Sequence, residues 1–156
     1  MNKLNLNNID LNKLSISEAI TGLKEGAFTS KDIVNACYSQ IEKFDGNIKA
    51  FLYLTKETAL HEAEAADEEI KKRGSKAFDQ KPLLGIPYAC KDNFNTYGVQ
   101  TTAGSKILEG YIPPYESTVT LKLKNAGAIM LGKTNMDAFA HGSSTETSDY
   151  LKTTNP

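Results

Sequence analysis

The sequence has two cysteines, two histidines, no proline in its first eighty residues and no excess of charge of either sign. Cys37 and Cys90 lie far apart in unlike contexts, so they form neither a disulfide framework nor a CxxC metal pair. A reducing, cytoplasmic setting is the expectation that follows. Eighteen basic against nineteen acidic side chains give a net charge of -1, too little to bind nucleic acid through bulk electrostatics. No apolar run approaches the roughly 20 residues of a membrane-spanning helix. The Asn-rich start, Met1 to Leu14, lacks the basic-then-apolar layout of a signal peptide. With 156 residues, 40% hydrophobic and 24% charged, the chain fits one ordinary globular domain.

What is present divides into two halves. Residues 1–80 carry 24 charged side chains and 4 glycines, and residues 81–156 carry 13 charged side chains, 7 glycines and all 5 prolines. The first half is helix-friendly and the second is punctuated by turns. Ser15 and Glu18 form a capping box for a helix over about 16–25, closed by Gly26. Thr29 and Asp32 form a second box, with Phe28 and Ile33 spaced as a hydrophobic staple. The helix behind it presents Ile33, Cys37, Ile41 and Phe44 on one face and is predicted to stop at Asp45-Gly46. Residues 50–54 read as a short buried strand. A third helix over about 56–73 has Ala59, Ala63, Ala66 and Ile70 as its apolar stripe. Lys71, Lys72 and Arg73 fall in its last turn, where they complement the helix dipole. An alanine face implies close packing against something flat.

In the second half, Leu83 to Cys90 is a strand candidate, with Pro87 marking an edge or a start. A long polar connection follows, from Lys91 to Tyr115. A helix over about 117–126 carries Val119, Leu123 and Ala126 and ends at Gly127. Ala128 to Leu131 is fully apolar, as expected of a buried parallel strand. Helix, strand, helix, strand in this order indicates an α/β layered fold.

Several residues could carry chemistry. Gly127 to Thr134 is a formal match to G-x4-GK[ST]. A phosphate-binding loop needs a strand before its first glycine and a helix after it. Here a helix precedes and the four intervening residues are apolar, so Gly127 reads as a helix cap and Gly132-Lys133 as the exit from a strand. Lys91 directly follows an apolar strand, at the end where α/β folds place ligands. A lysine acts as a base only when neutral, which takes burial or cationic neighbours. On spacing alone a solvated or ion-paired lysine is favoured. His61 reads as a surface residue. His141, within Phe139-Ala140-His141-Gly142-Ser143-Ser144-Thr145, has no companion histidine or paired carboxylate to make a metal site. It is a pocket donor or a plain loop residue. Ser143, Ser144 and Thr145 could host a nucleophile but lack the G-x-S-x-G elbow. Cys90 beside Lys91 fits an activated thiol or, more ordinarily, a core cysteine.

The segment from Leu84 to Asn93 (LGIPYACKDN) resembles the lysine motif of the amidase signature enzymes. Thr101 to Gly110, Tyr115 to Val119, Gly132 to Ala140, Gly142 to Ser148 and Thr154 to Pro156 follow in register. Together they resemble the tRNA-dependent amidotransferase branch of that family, over about residues 15–156. The implied fold is α/β: N-terminal helices plus part of a mixed sheet flanked by helices, an incomplete amidase signature fold. The implied organisation is a tail over 1–14, then the N-terminal portion of a single amidase signature domain over 15–156.

The resemblance also implies an activity. The glutaminase (A) component of that branch hydrolyses glutamine, and the ammonia is used to convert Glu-tRNA(Gln) to Gln-tRNA(Gln). The B and C components of the amidotransferase are the implied partners. No cofactor is implied in this chain, ATP and Mg being used by a partner. Lys91 matches the lysine of a Ser–cis-Ser–Lys triad. His141, Gly142, Ser143 and Ser144 match the substrate pocket. The family's two triad serines fall beyond the matched residues, so the 156-residue piece alone is expected to be inactive. The alternatives are part of a standalone amidase for another amide, or an inactive docking piece. Two positions depart from the branch: His141 replaces a common methionine and Ala138 a common acidic residue. Ala128–Leu131 is expected to lack a neighbouring strand.

Overall fold

The computed structural model describes residues 10–156, so most of the expected N-terminal tail lies outside the described residues. Among the described residues there are four α-helices: α1 (Ile16–Glu25), α2 (Ser30–Ile48), α3 (Lys56–Arg73) and α4 (Thr118–Asn125). Three strands, β1 (Phe51–Leu54), β2 (Pro87–Lys91) and β3 (Ile129–Thr134), form one sheet in the order β1-β3-β2. β3 runs antiparallel to β1 and parallel to β2. The mixed α/β layering matches the expected class.

Both capping boxes form. Ser15 accepts from the Glu18 amide and Thr29 from the Asp32 amide, with each carboxylate returning to its cap. Gly26 closes α1 in the left-handed conformation, at φ 66°. α2 also borrows a cap from α3, because Asp67 accepts from the amides of Ser30 (2.6 Å) and Lys31 (3.1 Å). A carboxylate at a helix N-terminus satisfies orphan amides and opposes the dipole. The Ser30 hydroxyl donates to the Gly85 carbonyl at 2.8 Å, tying this corner to the approach of β2.

α2 does not stop at Asp45-Gly46. It continues to Ile48, and Lys49 takes the left-handed closing position at φ 60°. Asp45 stays helical because its carboxylate accepts from the Ala50 (2.7 Å) and Phe51 (3.3 Å) amides beyond the end. The signal that reads as a stop is a cap reaching over the next turn. The buried face of α2 also differs from expectation. Val34 and Tyr38 are fully enclosed beside Ile33, whereas Phe44 is exposed.

The alanine stripe of α3 packs as expected. Ala59 and Ala63 meet Val34 and Tyr38 of α2 and Ile129 and Leu131 of β3. Ala66 joins Ala19, Leu23, Ile33, Phe78, Leu84 and Ile86 in a second cluster. The Tyr38 hydroxyl donates to the Leu131 carbonyl at 2.8 Å, so even the polar tip of this aromatic is satisfied.

Three strand expectations are corrected. β1 is an edge strand with Tyr53 and Leu54 exposed, because the helices cover only one face and β3 only one side. β2 begins at Pro87, since Leu83 to Ile86 form turns held by Leu84 N–H to Lys81 C=O and Ile86 N–H to Leu83 C=O. β3 is the central strand, paired with β2 from Ile129 to Thr134 and with β1 from Gly132 to Thr134, so among the described residues Ile129–Leu131 lack a strand neighbour on the β1 side alone. In α4, Thr120 is the buried residue and Val119 is exposed. Among the described residues, no helix is long and apolar enough to cross a membrane.

Close approach of α3 to α2 and β3 depends on the small side chains. Ala63→Leu should destabilise the chain by about 1–3 kcal/mol through overpacking, whereas Ala65→Leu on the exposed face should be near neutral. Urea denaturation midpoints of the two variants measure the difference.

Candidate functional site

The parallel strands β2 and β3 end side by side, with Lys91 opposite Thr134. Both outgoing loops, 92–117 and 135–150, therefore leave from one edge of the sheet. Along β2 the side chains alternate: Tyr88 is half-buried and Cys90 buried, while Ala89 and Lys91 are exposed. Lys91 thus stands at the carboxyl end of its strand, on the open face. Burial pushes the Cys90 thiol up to about 11, so the thiol stays protonated and the core reading of Cys90 holds. His61 is exposed on α3, as expected.

The strand end is held by a residue that sequence reasoning misplaced. Lys133 lies inside β3, not at its exit, and is fully enclosed. The pairing slips by one residue at this point: Met130 sits opposite Tyr88 and Gly132 opposite Ala89, leaving Leu131 without a β2 partner. A one-residue slip moves the following side chains to the other face. Lys133 is consequently paired with Cys90, while Ile129 and Leu131 pack on the helices.

The Lys133 ammonium meets only acceptors. It lies 3.2 Å from Asp92 Oδ1 and donates to Phe94 C=O (2.9 Å), Thr101 Oγ1 (2.7 Å) and Thr96 Oγ1 (3.2 Å). Burial holds its pKa below the ordinary lysine value, with the Asp92 charge opposing that shift only in part. An all-acceptor shell fits the charged form, which has three protons to donate. Asp92 Oδ2 accepts from both the amide and the hydroxyl of Thr102. One buried ion pair therefore gathers residues 92–102 beneath the strand end and fixes the residue next to Lys91. The formal phosphate-loop match is accounted for structurally, since Gly127 to Thr134 supplies a left-handed turn and a strand.

His141, Gly142, Ser143 and Ser144 are brought together on an exposed loop behind β3. Buried Asp137 organises that loop. Its Oδ2 accepts from the Ser144 (2.9 Å) and Thr145 (2.7 Å) amides, and its Oδ1 from the Thr147 amide (3.2 Å) and hydroxyl (2.8 Å). The amide bond from Thr145, with those from Thr147 and Ser144, lowers the Asp137 pKa below the usual carboxylate value against the opposing effect of burial. The two loops are stitched together. Ala103 N–H donates to Asp92 C=O at 3.1 Å, and Phe139 N–H donates to Ala103 C=O at 2.9 Å. Ser105 Oγ and the Lys106 amide both donate to Asp149 at 2.9 Å.

A separate cleft is lined by Thr55, Glu62, Tyr88, Thr96, Glu116, Thr120 and Met130. Burial pushes the Glu62 carboxyl up, with Lys124 acting against it, and Glu116 Oε2 is enclosed without a hydrogen-bond partner among the described residues. Glu116 falls within the Tyr115 to Val119 block, whereas no motif marks Glu62. Among the described residues, no group of three or more His, Cys, Asp or Glu could hold a metal ion.

The Amidase family model matches residues 32–156. The chain belongs to the amidase family. It is 48% identical over 146 residues to the A component of the glutamyl-tRNA(Gln) amidotransferase of Natranaerobius thermophilus, covering 94% of this chain and 29% of that protein. The chain thus spans about three tenths of the length of the curated relatives it matches. Among solved structures, it is similar to a chain of a vestigial complex bearing on the evolutionary origins of an s-triazine catabolic enzyme. That match has 38% identity and a TM-score of 0.83, over 92% of this chain and 31% of that one. The A component of the Thermotoga maritima glutamyl-tRNA(Gln) amidotransferase matches with 31% identity and a TM-score of 0.71, over 95% of this chain and 28% of that one. The fold of this amidase-family chain is accordingly the one its motifs implied.

Two predictions follow from the loop anchors. Lys133→Met leaves Asp92 buried without its counter-ion and should destabilise the chain by about 3–5 kcal/mol, read from urea denaturation. Asp137 has a folded-state pKa below its unfolded value of about 3.9. Its contribution is therefore complete above that unfolded value and is lost as pH falls through the folded pKa. Amide protection of Ser144, Thr145 and Thr147 should hold at pH 6 and disappear on acidification, ahead of the α2 amides, in NMR hydrogen-exchange protection factors.

Proposed function

We propose that the chain serves in the glutamine-hydrolysing component of a tRNA-dependent amidotransferase, with Lys91 as its proton acceptor. The observation that carries this is 48% identity over 94% of the chain to a protein named as the A component of a glutamyl-tRNA(Gln) amidotransferase. The position of Lys91 supports it, at the carboxyl end of a parallel strand, where α/β folds bind ligands; Lys91 is exposed over these residues, so the burial that its neutral form requires has to come from the rest of the full-length protein.

In this reading, neutral Lys91 accepts a proton, through a middle serine, from a nucleophilic serine. That serine attacks the side-chain amide carbon of glutamine, the C–N bond breaks, and ammonia leaves. Water then attacks the acyl-enzyme and releases glutamate. This is nucleophilic catalysis with lysine in the role often held by histidine. The two serines belong to the length of the relatives that this chain does not span. His141, Gly142, Ser143 and Ser144 line the glutamine pocket. The ammonia passes to a partner, the B component, which uses ATP and Mg to amidate Glu-tRNA(Gln), with the C component completing the complex.

A second reading, an amidase acting on another amide, is favoured by the 30% identity and TM-score of 0.74 to the peptide amidase of Stenotrophomonas maltophilia. One reconstitution separates the two. The full-length protein, with its partners, glutamine, ATP and Glu-tRNA(Gln), should form Gln-tRNA(Gln). Amide hydrolysis without any Gln-tRNA would establish the second reading. In the same complex, Lys91→Ala should lower kcat for glutamine hydrolysis by at least about 10²-fold. Lys91→Arg should fail equally, because guanidinium stays protonated. Retention of near-full kcat would remove Lys91 from the mechanism.

A further inference from the structure

We infer that Asp137 is a positioning residue for the pocket, anchoring the loop that carries His141 to Ser144 against the strand end that carries Lys91. The inference rests on the functional reading above. It goes beyond that reading by naming a residue outside the motif lysine and the pocket side chains themselves.

Three observations converge. Asp137 is 4% exposed and takes all four of its hydrogen bonds from residues 144–147, so its carboxylate is the hub of that segment. Gly142 is shaped to it, because a Cβ at 142 would lie 2.6 Å from Asp137 Oδ1, well inside contact distance. The third observation is backbone conformation. Of the five non-glycine residues with left-handed φ among the described residues, Phe139 (53°), Ala140 (63°) and Thr145 (61°) belong to this segment. A fourth, Ala103 (51°), is the residue whose carbonyl receives the Phe139 amide. Such conformations persist only where surrounding interactions over-determine them.

The anchor reaches the strand end through the backbone. Asp137 holds residues 144–147, Phe139 N–H donates to Ala103 C=O, and Ala103 N–H donates to Asp92 C=O, next to Lys91. The carboxylate geometry cannot be replaced by an amide. All four groups facing Asp137 are donors, three backbone N–H groups and one hydroxyl. An asparagine Nδ2 would set donor against donor on one side. Asp137 does not touch the reacting atoms in this arrangement, so its loss should misplace the pocket while leaving the chemical step at Lys91 largely intact.

The test uses the full-length protein assembled with its partners. Asp137→Asn should lower kcat/KM for glutamine by about 10²-fold, the effect of a roughly 1 Å displacement, with most of the loss in KM. Thr147→Val, which removes one of the four bonds, should give a smaller change in the same direction and guards against a misfolded Asn variant. Hydrogen exchange at Ser144, Thr145 and Thr147 should accelerate in both variants while α2 exchange is unchanged. Acetate should restore part of that protection in Asp137→Gly, by filling the vacated donor ring. An unchanged KM, or a loss confined to kcat, would overturn the positioning role. Unchanged exchange would overturn the anchor itself. If the wild-type complex hydrolyses no glutamine, the functional reading falls and the positioning role with it. Exchange and acetate rescue would still report on the anchor separately.

Discussion

The arrangement of the strand end depends on one enclosed charge. The Lys133 ammonium sits inside the sheet, 3.2 Å from Asp92 Oδ1, with a carbonyl and two threonine hydroxyls completing its shell. Placing two ions out of water is expensive unless every donor and acceptor is matched, and here they are matched. Hydrophobic replacements of similar volume could stabilise the fold as well. They could not collect Phe94, Thr96, Thr101 and Thr102 around a single point. The pair therefore specifies where a long polar connection must run, and that connection starts at Lys91.

The helices supply the rigid support. α2 and α3 are joined by small-residue packing at Ala59 and Ala63 and by Asp67 capping its neighbour, so both enter the sheet as one layer. Ile129 and Leu131 rest on that layer. The slip at Leu131 then delivers Lys133 to the Cys90 side. A regular strand would have sent the lysine toward the helices, into the cluster of Val34, Tyr38, Ala59 and Ala63. The irregularity is thus the link between the hydrophobic support and the polar site.

The same irregularity explains what could be read from the sequence and what could not. The N-terminal capping boxes, the limits of α1 and α3 and the alanine face are legible because their signals are local: Ser15 with Glu18, Thr29 with Asp32, alanines at helical spacing. Lys91 stands out only through its motif, since its spacing alone favours an ordinary surface lysine and the structure leaves it exposed. Lys133 reads from the sequence as a strand exit, whereas it lies inside β3. Its acceptors come from residues 92–101, over thirty positions away, and a two-residue alternation gives no warning of a slip. Asp45 and Asp137 were missed for a related reason. An aspartate reads as a turn former, whereas here each reaches several residues ahead to satisfy amides that a sequence does not mark as needy.

Backbone conformation shows how the site differs from its support. α1 ends at an ordinary left-handed glycine, Gly26, and α2 at a single left-handed non-glycine residue, Lys49, both exposed to solvent. In the two loops, non-glycine residues accept left-handed φ at Ala103 in the first and Phe139, Ala140 and Thr145 in the second, at roughly 1–3 kcal/mol for each strained position. Glycine would have removed that strain and surrendered the side chains. Rigid shape has been favoured over relaxed backbone, and the buried carboxylate at Asp137 together with the ion pair at Asp92 supplies the interactions that hold it. The two loops share a backbone connection through Ala103, so neither can relax without the other. This coupling fixes the geometry around Lys91 from two sides while Lys91 itself remains open to solvent.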